Sequence, residues 1–239
     1  MPIDIEGITD LSEKGAVKDG VRQSIDRRLF IQLLVFGGSA DSSALIEALK
    51  ESGINGVLYE DINDPRGVAL LTMSEDPGFF ATVLRGLLGR REFASLELKD
   101  EYTMLGRTYA LGHEEKLEEW LLHRPKKVVT NPEWKWAVWY PLRRSGAFAL
   151  LPPREQGEIL MEHGMIGRAF GKADLGHDIR LSCFGLDRND NDFVIGLIGK
   201  ELHPLSALVQ TMRKTKQTST YIDRMGPFFI GRAVWQSAP

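Results

Sequence analysis

The sequence predicts an α+β protein made of two ferredoxin-like β-α-β-β-α-β units that close on each other as a dimeric α+β barrel. Three observations lead there. Strand-like and helix-like runs follow the same order in both halves of the chain. Each half carries a turn-rich break between its second and third strands. The closing strands also read alike, Met104-Leu105-Gly106-Arg107 in one and Phe229-Ile230-Gly231-Arg232 in the other. A lone unit of this kind has helices on one sheet face only, so a second copy is needed to bury the other face.

The elements of the first half follow in order. Arg28–Phe36 is rich in Leu, Ile, Val and Phe and stops at Gly37-Gly38, as a strand ending on a breaker does. Ser42 or Ser43 caps a helix through about Ser52, with Ala44, Leu45 and Leu49 on one face and Gly53 past its end. Val57–Tyr59 and Val68–Met73 flank Asn63-Asp64-Pro65-Arg66-Gly67, a run of turn residues that makes a hairpin. Asp76-Pro77 opens a second helix with Phe79, Phe80, Val83, Leu84 and Leu87 at helical spacing. Tyr102–Leu111 closes the unit. Residues 1 to about 25 read as an arm or short helix lying on the body.

A linker at about 113–133, with a charged helical stretch Glu114–Leu122, leads to the second half, and the boundary is set near residue 127. This gives an N-terminal half, 1–127, and a C-terminal half, 128–239. Lys135–Leu142 is the first strand of the second unit. Pro152-Pro153 starts a helix over 153–166 with Ile159, Leu160, His163 and Ile166 on its apolar side. Asp178–Leu186 and Asp192–Ile198 flank the turn run 187–191. Leu202–Thr215 is a helix and Phe228–Trp235 the closing strand.

Composition removes several function classes. The 239 residues carry a net charge of −3, 43% hydrophobic residues and 26% charged residues, with Cys183 as the one cysteine. A disulfide framework and a Cys-rich zinc site both need more cysteines. A near-neutral chain lacks the basic excess of a nucleic-acid binder. The longest apolar run, near Leu29–Phe36, is far short of the ~20 residues of a spanning helix. The polar, acidic N-terminus does not resemble a signal peptide, so a cytoplasmic setting is expected.

His163 is the first candidate for chemistry. A neutral imidazole on an apolar wall can be an axial ligand to heme iron, or a core histidine bonded to backbone. The run His163-Gly164-Met165-Ile166-Gly167-Arg168 places two glycines in a helix, at about 1 kcal/mol each, which suits the close approach of something flat. Tyr140 lies in a strand and is followed by Arg143 and Arg144, which would favour tyrosinate or bind carboxylates. Trp134, Trp136 and Trp139 cluster beside it, and alternation puts Trp136, Val138 and Tyr140 on one face. Asp187-Arg188-Asn189-Asp190-Asn191-Asp192 looks like a calcium loop, yet Asp192 and Ile198 stand where such a loop needs Gly and Glu, so a hairpin turn is expected. Gly37-Gly38-Ser39 lacks the ending of a phosphate loop. Cys183 reads as a buried structural thiol.

Three stretches together resemble the chlorite dismutase-like heme protein family, closest to its coproheme decarboxylase branch: Trp139-Tyr140-Pro141-Leu142-Arg143-Arg144-Ser145-Gly146, Leu151-Pro152-Pro153-Arg154-Glu155, and Met161-Glu162-His163-Gly164-Met165-Ile166-Gly167-Arg168. Gly185–Val194 and Gly226–Gly231 fit the same pattern. The likeness is firm over residues 124–235. It implies two ferredoxin-like halves with heme in the second, and homo-oligomeric rings, pentamers favoured. It implies His163 as the proximal iron ligand, Tyr140 as the radical-forming residue, and Arg144 as a propionate contact. Lys126, fourteen positions before Tyr140, corresponds to a further basic contact. Arg143, Ile166, Arg180 and His177 complete the cofactor-binding set.

The distal arginine of true chlorite dismutases falls near Asp178, with Arg180 on the same strand face and His177 adjacent; Tyr221 stands where the decarboxylases carry a late-helix arginine. The implied cofactor is heme b or iron coproporphyrin (coproheme), with a porphyrin substrate and peroxide as partners and neither nucleic acid nor a membrane span. The implied reaction is peroxide-driven oxidative decarboxylation of coproheme to heme b. A chlorite dismutase, a heme peroxidase or a non-enzymatic heme carrier or sensor is the alternative.

Overall fold

The computed structural model describes residues 8–238. An antiparallel hairpin comes first, β1 (Glu13–Lys18) and β2 (Val21–Ile25). Over its described part the expected arm or short helix is helical at Ile8 and Thr9 and then continues as this strand pair; residues 1–7 lie outside the described residues. Asp19 and Gly20 turn the hairpin with φ of 51° and 78°, the paired left-handed geometry that two-residue hairpin loops need.

The first unit runs β3 (Phe30–Gly37), α1 (Ser43–Ser52), β4 (Gly56–Asp61), β5 (Val68–Ser74), short helical turns over 78–94, β6 (Glu97–Leu98) and β7 (Met104–Arg107). The helix expected after Pro77 is broken at Thr82, whose φ of −121° and ψ of −79° leave the helical region. The second unit runs β8 (Trp136–Arg144), α2 (Pro153–Lys172), β9 (His177–Ser182), β10 (Phe193–Gly199), α3 (Leu202–Met212), a helical turn Lys216–Tyr221, β11 (Ile222–Met225) and β12 (Phe229–Gln236). Helix α2 continues past 166 to Lys172, through Gly167 and Gly171.

Pairing closes a barrel of eight antiparallel strands in the order β8, β10, β9, β7, β3, β5, β4, β12 and back to β8. Each unit contributes four strands. The seams are β4 with β12, paired over Asp61 to Val57, and β7 with β9, paired at Arg107 and Ser182. The inward face of both units makes one core that includes Ile31, Leu71, Tyr59, Trp139, Ile179 and Phe229. Linker segments Glu119–His123 and Arg124–Val129 plug that core with Leu121, Leu122, Val128 and Val129. The outward faces carry the helices, α1 over the first unit and α2 with α3 over the second.

Trp139 shows how tightly the interior is filled. It is fully buried and lies opposite Gly196 of β10, where an added Cβ would stand 2.5 Å from ring carbons. Gly196→Ala is therefore expected to cost about 1–3 kcal/mol by overpacking, read as a lowered urea midpoint at unchanged slope. An unaltered midpoint would mean the indole shifts freely.

Candidate functional site

The outward face of the second unit assembles the candidate residues through strand register. Tyr140 pairs with Ile195, and Ile195 with Arg180. Directly paired residues share a face, and residues two apart on a strand share it too. That face therefore holds Tyr140, Leu142 and Arg144 from β8, Phe193 and Ile195 from β10, and Asp178 and Arg180 from β9. Helix α2 covers it with Ile166 and Phe170, and α3 adds Leu205, Leu208 and Met212. Yet only Ile159 of the twenty residues in α2 is fully buried. The inward side of the helix stands off the sheet, leaving His163, Ile166, Phe193 and Ile195 half-buried.

His163 is held from behind. Its Nδ1 lies 3.4 Å from Thr215 Oγ1. That hydroxyl donates to the Met212 carbonyl at 2.8 Å, and a carbonyl only accepts, so toward His163 the hydroxyl oxygen is the acceptor. Nδ1 then carries the imidazole proton and Nε2 keeps its lone pair. Burial, followed by the Arg180 charge, pulls the His163 pKa down to about 4, which keeps the ring neutral at physiological pH.

Tyr140 is buried and stacks on Phe228 at 4.5 Å and 19°. Burial, with Asp178 adding to it and Arg213 opposing, pushes its phenol above the ordinary range. The expectation that neighbouring arginines would favour tyrosinate is thus corrected: desolvation outweighs them and the phenol stays protonated.

Arg144 lies with its guanidinium carbon 4.5 Å from the Phe148 ring and 4.8 Å from the Phe193 ring. Its Nε is buried without a partner. A cationic donor left open in an apolar frame suits a carboxylate. Arg180 pairs with Asp178 at 3.0 Å and rests over Trp120 at 5.2 Å.

Three expected cofactor residues lie elsewhere. Arg143 alternates to the opposite side of β8 from Arg144 and pairs with Asp190. His177 takes the inward parity of β9, stacking on Trp134 at 3.7 Å and meeting Asp174 Oδ1 at 2.9 Å. Lys126 lines a cleft of the first unit with Asn55, Glu75 and Phe79. Arg124, two positions earlier and so on the other side of the helix, donates to Asp178 at 2.7 Å and stacks on Trp120 at 4.7 Å.

Arg124, Tyr109 and Thr215 were not identified from the sequence. Tyr109 crosses the β7–β9 seam from the first unit. Its ring meets Phe193 at 6.0 Å, its pKa is raised by burial, and Arg180 and Arg144 both act on it. Among the described residues no group of three His, Cys, Asp or Glu side chains is placed to hold a metal ion.

The family model for chlorite dismutase matches residues 90–234, and the chain belongs to that family. The coproheme decarboxylase of Mycolicibacterium smegmatis is 26% identical over 202 residues, covering 74% of this chain and 84% of that protein. Among solved structures, a heme-binding protein of Thermus thermophilus superposes with a TM-score of 0.66 at 18% identity, covering 87% of this chain and 91% of its own. The chlorite dismutase of Candidatus Nitrospira defluvii gives 0.67 at 14% identity, covering 90% and 93%. These structures establish the shared fold. No helix among the described residues is long and apolar enough to cross a membrane.

Proposed function

We propose that the protein carries out peroxide-driven oxidative decarboxylation of coproheme to heme b, with coproheme as both cofactor and substrate. The observation that carries this reading is one shared sheet face: a buried, protonated Tyr140 with Arg144 and Arg180, beneath the helix that bears His163. The residues fit an iron porphyrin. Nε2 of His163 is an unprotonated donor, Arg144 Nε is an unpartnered cationic donor, and a Cβ at Gly164 beside His163 would meet open space.

Bound coproheme would supply the iron at which peroxide is activated and the propionates whose carboxylates leave as carbon dioxide. The chain supplies the rest. His163 holds the iron through Nε2, oriented by Thr215. Arg144, held between two phenyl rings, binds a carboxylate. Tyr140 keeps its proton on Oη, so an electron leaves this side chain together with that proton. Replacing Thr215 with valine is expected to weaken heme affinity about 10–100-fold while serine restores it, measured by heme titration; equal affinity in valine and wild type would remove Thr215 from the site.

The decisive test is addition of peroxide to the coproheme-loaded protein, followed by mass spectrometry. Stepwise loss of two carboxylates is expected. An unchanged mass with an intact Soret shift would leave a heme carrier or sensor. Arg180 on the site face favours, as a second reading, decomposition of chlorite to chloride and dioxygen; oxygen release at an electrode would support it. The exposed Leu150, Met161, Met165 and Phe184 suit burial in a homo-oligomer, a pentamer on this reading, working in the cytoplasm.

A further inference from the structure

The loop between β9 and β10 holds two buried oxygens that no group among the described residues satisfies. Asp187 is 9% exposed and Asn191 is 3% exposed, and Oδ1 of each is sealed from solvent without a hydrogen-bond partner. We propose that this loop binds a hard cation of the calcium class through Asp187 Oδ1 and Asn191 Oδ1.

The two side chains lie edge to edge. Asp187 Oδ2 accepts from Asn191 Nδ2 at 2.8 Å, from the Asn189 backbone N–H at 3.0 Å and from the Asn191 backbone N–H at 3.2 Å. Every donor the loop offers to the carboxylate thus converges on one oxygen, and the other faces none. An unpartnered buried acceptor is destabilising, and more so when charged, so these two oxygens of one loop call for an occupant. The nearby charged groups are committed elsewhere. Arg188 pairs with Asp100 at 2.6 Å, Arg143 pairs with Asp190, and Asp192 takes the Arg144 backbone N–H at 2.7 Å.

An all-oxygen set containing one carboxylate and one carboxamide selects a hard cation, and calcium tolerates irregular geometry best. With a single charged ligand the affinity belongs in the weak range, Kd about 10⁻⁴–10⁻³ M. The loop grips the end of β8 through Asp192 and Asp190, so the cation fastens the strand that carries Arg144.

The test is thermal unfolding of the chelator-stripped full chain across a calcium titration, with magnesium and sodium in parallel. A saturating rise in Tm with calcium is expected. Asp187→Asn should abolish that rise. It should also unfold no lower than wild type in chelator, since its new amide can donate to Asn191 Oδ1. Asn191→Asp adds a second carboxylate and should shift the calcium midpoint about tenfold lower while lowering Tm in chelator. A flat calcium titration in wild type and Asn191→Asp would overturn the proposal in favour of a bridging water. An equal rise with all three salts, or one retained in Asp187→Asn, would overturn it as a general salt effect or binding elsewhere.

Discussion

Replacing Tyr140 with phenylalanine is expected to leave coproheme binding intact and to slow loss of the first carboxylate by about 10²-fold or more. The substitution is nearly isosteric. The ring keeps its stack on Phe228 and its place among Val138, Leu142, Leu205 and Leu208, so folding and the Soret band should change little. What disappears is Oη and its proton. In wild type that proton is held firmly, because burial raises the phenol's pKa. Oxidation of the side chain therefore requires electron and proton to leave together, and phenylalanine offers neither at accessible cost. Mass spectrometry of the porphyrin after peroxide reads the outcome directly. Full decarboxylation in the variant would remove Tyr140 from the mechanism and turn attention to Tyr109, the tyrosine on which both Arg180 and Arg144 act.

That second tyrosine marks where sequence reasoning stops. The repeat of six elements is visible because periodicity and turn residues are local signals. A face is also local: Trp136, Val138 and Tyr140 share one because alternation demands it, and the same rule separates Arg143 from Arg144 and His177 from Asp178. Both separations could have been drawn from the strands alone. That Arg124 reaches Asp178 while Lys126 faces the cleft of the first unit depends on helix phase in a linker whose start is not marked. Tyr109 and Thr215 depend on pairing across a seam and on packing of α2 against the turn that follows α3. These are contacts between residues far apart in sequence, without a local trace. The N-terminal hairpin is a different case. Asp19-Gly20 was the signal, a two-residue turn flanked by Val17 and Val21, and the short polar strands around it hid it.

Replacing His163 with alanine should have the other large effect, loss of the imidazole proposed to hold the iron and with it the His-dependent Soret shift. The substitution removes the hydrogen bond from Nδ1 to Thr215 but leaves that hydroxyl satisfied, since it also bonds the Met212 carbonyl. The apoprotein should therefore fold, and added imidazole should restore the band by filling the vacated space. The pH dependence follows from the depressed pKa. Free histidine titrates near 6.5 and folded His163 near 4, so between these values the unfolded chain binds the proton and the folded chain does not. This contribution to stability is complete above about 6.5 and falls away as pH drops toward 4. The same shift keeps Nε2 available to iron through mildly acidic solution, where an unperturbed histidine would be protonated. An NMR titration of the apoprotein with a His163 midpoint near 6.5 would show that the imidazole is solvated rather than enclosed between α2 and the sheet, and a solvated imidazole could not hold the iron against water.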